Sequence, residues 1–103
     1  MEQMQKKGPQ ATFLPMNAVI LQALRKVSLV VGELSRRGFT VTTVEMDAPS
    51  RPTVRIQSSA RCHELITSGE AAYFGFGSGD MGRYREGQFS LDGCRVVWTE
   101  NAN

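Results

Sequence analysis

Cysteine, histidine and any excess of charge are scarce in this chain, and each shortage closes off a class of function. The chain has two cysteines, Cys62 and Cys94, no C-x-x-C pair, and one histidine, His63. A structural zinc site normally takes four ligands at characteristic spacings, so these three do not predict a metal centre. Cys62 and His63 are adjacent, and neighbours point apart on a strand and by about 100° on a helix, which argues against a thiolate–imidazole pair. No Ser-His-Asp set stands out and the carboxylates are scattered, so the expectation is a protein that is not an enzyme and carries no cofactor. A net charge of +2 over 103 residues is too small to imply a nucleic-acid or membrane partner by itself. The longest apolar stretch falls well short of the roughly 18 residues of a membrane span. The polar run Met1–Lys7 leads into no apolar segment of the kind an export signal carries. Reduced thiols and a cytoplasmic location are therefore expected.

What the chain does contain is the pattern of one small α+β domain. Residues 1–14 mix Gln, Lys, Gly and Pro without periodicity and are expected to form a flexible arm, with a single domain over 15–100. A helix is predicted from about Met16 to Arg37, with Asn17 as its N-cap and Gly38 just past its end. Ile20, Leu24, Val27, Val31 and Leu34 recur at 4-3-4-3 spacing and predict the core stripe, widened by Leu21 and Val30. At the other end, Gln88–Trp98 reads as a two-residue hairpin. Asp92-Gly93 suits a type I′ turn, whose central residues both need positive φ. Counting outward pairs Leu91 with Cys94, Phe89 with Val96 and Gly87 with Trp98 on one core face; Arg95 and Val97 share the wetter one.

Between these ends, Phe39–Met46 reads as a strand whose alternation breaks near Thr42-Thr43, so either a bulge lies there or one half of the strand faces something other than the main core. Val44 or Met46 is expected to be exposed there. Thr53–Gln57 alternates cleanly, with Val54 and Ile56 inward and Arg55 outward. Residues 58–69 suit a short helix capped by Ser59 and stopped by Gly69 or an irregular crossing, although Cys62–Thr67 alone would also suit a strand, and Ala71–Phe76 suits a strand. Gly77, Gly79 and Gly82 match G-x-G-x-x-G, but a dinucleotide loop must open a helix, and the residues that follow read as strand. A glycine-rich loop between antiparallel strands is expected instead. The whole predicts one long N-terminal helix packed on a mainly antiparallel sheet of four or five strands. Unpaired edges of such a sheet favour a weak homodimer.

The candidate partner-binding residues are Arg55, Arg83, Arg85, Arg95 and Tyr84. Parity puts Arg55 and Arg95 on the outer sheet face; Arg83 or Arg85 is expected to join them if Phe89 is inward and no bulge intervenes, and Tyr84 lies nearby in sequence. Arg and Tyr favour protein interfaces, so an unknown protein partner is the leading expectation. An Arg-bearing face near aromatic rings could also stack bases and hold phosphates, which makes single-stranded nucleic acid the alternative.

In its size, its polar start, and the run Leu34-Ser-Arg-Arg-Gly-Phe-Thr-Val41 leading to Gly93-Cys-Arg-Val-Val-Trp98, the chain resembles small prophage-encoded bacterial proteins of uncharacterised function. The resemblance implies a cytoplasmic accessory protein that binds and modulates a host factor. It assigns no functional residue.

Overall fold

The computed structural model describes residues 14–102. Residues 1–13 of the expected arm, Phe13 included, lie outside the described residues. Two helices and five strands follow in the order α1 (Pro15–Arg36), β1 (Val41–Glu45), β2 (Thr53–Ile56), α2 (Ala60–Ser68), β3 (Ala72–Gly79), β4 (Gly82–Leu91) and β5 (Cys94–Asn101). The fold is α+β. The sheet order is β1-β2-β5-β4-β3. Three pairings are antiparallel and the fourth, β2 with β5, is parallel, so the sheet is mixed. Both helices lie on one sheet face, where Val27, Val30, Leu34 and Cys62 pack with Val54, Ile56, Val96 and Trp98.

α1 starts two residues before the predicted N-cap. Leu14 is the cap and Pro15 the first helical residue, a position where the missing proline N–H costs nothing. The predicted stripe is rotated. Ala23, Val27, Val30 and Leu34 are the buried positions, Ile20, Leu21 and Val31 are half-buried, and Leu24 is 49% exposed. Lys26 explains the offset: its side chain reaches the Ser50 carbonyl, and its stem lies over Gly93. Burial continues one turn before Lys26, at Ala23, which is 1% exposed. A helix apolar on several faces leaves the choice of buried face to such packing.

The β4–β5 hairpin has the predicted register, with Asp92 (φ 47°) and Gly93 (φ 86°) in the turn. Trp98 is 1% exposed, and its ring lies where a side chain at Gly87 would be. Val97 departs from the wet-face expectation: it is fully buried on the face without helices, registered between Arg55 and Gln88, whose stems cover it. The bulge falls between Val41 and Thr43. Val44 is exposed on the edge strand β1, whereas Met46 packs against the core. α2 runs between Ser59 and Gly69 as expected, Gly69 taking the left-handed conformation. The predicted Gly77–Gly82 loop is mostly strand. Gly79 pairs with Gly82 around Asp80-Met81, and Gly82 (φ 98°) closes a tight turn.

Candidate interaction surface

The five arginine and tyrosine candidates do not form one surface. Arg55, Arg95 and Tyr84 lie on the outer face, opposite the helices. Arg85 registers with Glu100 and shares the helix-bearing face with Gly87, Phe89 and Trp98, because β4 keeps strict alternation from Tyr84 to Leu91. Arg83 has the same parity as Arg85 and is exposed near the hairpin tip. The expectation that Arg83 or Arg85 joins Arg55 and Arg95 is therefore corrected by the parity that places Phe89 inward.

On the outer face one arginine is met by carboxylates and two by neutral partners. Arg55 donates from Nε to Glu45 at 2.7 Å and lies 3.7 Å from Glu86. The bond to Glu45, and less so the field of Glu86, raises the Arg55 pKa despite partial burial. Arg95 donates to Gln88 at 2.6 Å and stacks 4.5 Å from the Phe74 ring centre. Arg51 donates to Ser90. Both carboxylates, Glu45 and Glu86, engage Arg55, whereas Arg95 and Arg51 are held by the neutral side chains of Gln88, Phe74 and Ser90.

Arg85 serves a different cluster. Glu100 accepts hydrogen bonds from Trp98 Nε1 at 2.7 Å, Arg85 Nε at 2.8 Å and Tyr73 Oη at 3.0 Å. Burial alone would raise the Glu100 pKa, but the three donors outweigh it and hold the carboxyl below its usual range. A carboxylate so occupied is poorly suited to take or give a proton. It lines an open cleft of about 530 Å³ with Ser58, Asp80, Met81, Tyr84 and Thr99, and none of these forms a nucleophile–base pair with it. Cys62 and Cys94 are free thiols in the core, where burial raises both pKa values. His63 is exposed.

The apolar surface lies elsewhere, along β3. This strand closes one side of the sheet, and its outer ladder has no strand partner among the described residues. Its sequence, Ala-Tyr-Phe-Gly-Phe-Gly-Ser-Gly, carries no charge and no proline, the usual protections of an edge. The opposite edge, β1, is only five residues long, is bulged and ends in Glu45. A register shift between Tyr73 and Gly75 divides the β3 aromatics between the two faces. Phe74 is 39% exposed beside Arg95 on the outer face, and Phe76 is 74% exposed on the inner one. Phe76 lies 6.5 Å from Tyr73, over which the Arg85 guanidinium stacks at 4.3 Å. Gly75 and Gly77 leave room on the outer face for Glu86 and for the Tyr84 ring. Met81, 87% exposed, ends the strip at the hairpin tip. Strand parity and the aromatic-glycine alternation of Tyr73–Gly79 were the signals for this surface; only the sheet order makes it an edge.

A family model matches residues 7–101 of the sequence. The chain belongs to a family of uncharacterised proteins. No curated protein and no solved structure matches it. Among the described residues no helix is long and apolar enough to cross a membrane.

Proposed function

We propose that the protein is a non-enzymatic binding module whose partner is another protein, held as an extended segment along β3. The observation that carries this reading is the unpaired edge of β3, flanked by Phe76 on one face and Phe74 on the other. An added strand takes affinity from main-chain hydrogen bonds and specificity from pockets for alternate side chains. Here Phe76 and Tyr73 would receive one set of side chains, and Phe74 with the stem of Arg95 the other. The free thiols Cys62 and Cys94 suit a reducing, cytoplasmic setting. A prophage accessory role rests on the sequence resemblance alone. Single-stranded nucleic acid is the less favoured partner, since Glu45 and Glu86 engage Arg55 on the outer face and Arg85, on the opposite face, is paired with Glu100.

The test is capture from a cytoplasmic lysate, with and without nuclease, using the wild type and Phe74→Lys/Phe76→Lys. The expected result is a protein partner that survives nuclease and is lost with the double variant while Trp98 fluorescence is unchanged. Recovery of nucleic acid alone, with affinity dropping steeply between about 50 and about 200 mM salt as counterions are released, would reverse the ranking.

A further inference from the structure

Among the described residues the outward face of α1 is the second unpartnered apolar surface, independent of β3. Leu14 and Leu29 are 68% and 73% exposed and Leu24 is 49% exposed. Leu21, Leu24, Arg25, Ser28 and Leu29 line a shallow depression of about 480 Å³. The face is divided along its length. Its N-terminal half carries Leu14, Leu21 and Leu24; its C-terminal half carries Ser28, Gly32 and Ser35, and a side chain at Gly32 would meet nothing within 4 Å.

We infer that this face is a homodimer interface in which the α1 helices of two copies pack antiparallel about a two-fold axis near Leu24 and Arg25. A two-fold interface must be complementary to itself. Antiparallel pairing meets that demand, setting Leu21 opposite Ser28 and Leu14 opposite Ser35, large side chains over small ones. A parallel pair would set leucine on leucine at one end and leave a gap at the other. The opposed helix dipoles also favour the antiparallel arrangement. Arg25 can lay its aliphatic stem along the seam and keep its charge in water.

The available area fits a second copy. Twenty-two helical residues span about 33 Å at a width of about 10 Å. Two such faces amount to roughly 660 Å² in projection, the size of a weak contact rather than a permanent one. A weak, concentration-dependent association is therefore expected.

Sedimentation velocity of the full chain across low to high micromolar concentrations reads this directly. A concentration-dependent dimer is expected. Ser28→Glu/Gly32→Glu should weaken it by about tenfold or more, with Trp98 fluorescence unchanged because both sites face open space. Phe74→Lys/Phe76→Lys should leave it intact. For orientation, oxidised Arg25→Cys should form a covalent dimer and Leu14→Cys should not, since the two copies of residue 14 lie at opposite ends. A monomer at all concentrations overturns the inference. So does a dimer indifferent to the Ser28 and Gly32 changes, or cross-linking through Leu14→Cys as efficient as through Arg25→Cys.

Discussion

Gly87 and Glu100 show how single positions are committed to Trp98. The indole occupies the space in which a Cβ on Gly87 would stand, and it cannot swing away because it is 1% exposed. Gly87→Ala, ordinarily a gain inside a strand, should therefore cost about 1–3 kcal/mol through overpacking. Urea denaturation followed by the fluorescence of the single tryptophan measures it. Gly77 stands in the same relation to Tyr84, which is only half-buried and can yield more cheaply. Glu100 holds the indole N–H, and its pKa is lower folded than unfolded. Its stabilising contribution is therefore complete above the unfolded carboxyl value of about 4.5 and is lost as pH falls through the depressed folded value. Glu100→Gln should lose about 1–3 kcal/mol at neutral pH and flatten the acid limb of a stability–pH curve. A mutant curve parallel to the wild type would remove Glu100 as a source of acid sensitivity.

At the scale of elements, α1 separates what was legible from what was not. Its limits were readable from Pro15, the basic last turn and Gly38. Its buried face was not, because Leu21, Leu24 and Leu29 make other faces apolar as well. Leu34→Ala should cost about 2–5 kcal/mol, as expected for a fully buried leucine. Leu24→Ala should stay within about 1 kcal/mol, measured below the concentration at which copies associate. Equal losses would restore the rotated stripe. The register of the β4–β5 hairpin was legible to the residue because turn chemistry and period-two alternation agree there, whereas the burial of Val97 was not. The same alternation placed Arg55 and Arg95 correctly and, followed back from Phe89, puts Arg85 with Glu100. The β3 edge was hidden, since a strand becomes an edge through the order of the whole sheet.

The parallel pairing of β2 with β5 was equally hidden, and it organises the whole molecule. β1 and β2 form one local antiparallel pair, and β3, β4 and β5 form a local meander. Only the register Thr53–Arg95, Val54–Val96 and Arg55–Val97 joins them in the sheet, across about forty residues of chain. Contacts so distant in sequence are closed against a large loop entropy and slow the search for the native state.

β5 comes after every other strand in the sequence and yet lies at the centre of the sheet. On a ribosome, β2 and β4 would emerge with no strand between them, and Val54, Ile56 and Phe89 would find no Val96 or Trp98 to close over. The nascent chain thus has to wait for residues 94–101 to clear the exit tunnel before the two halves can join. Until then its apolar face is open to chaperones.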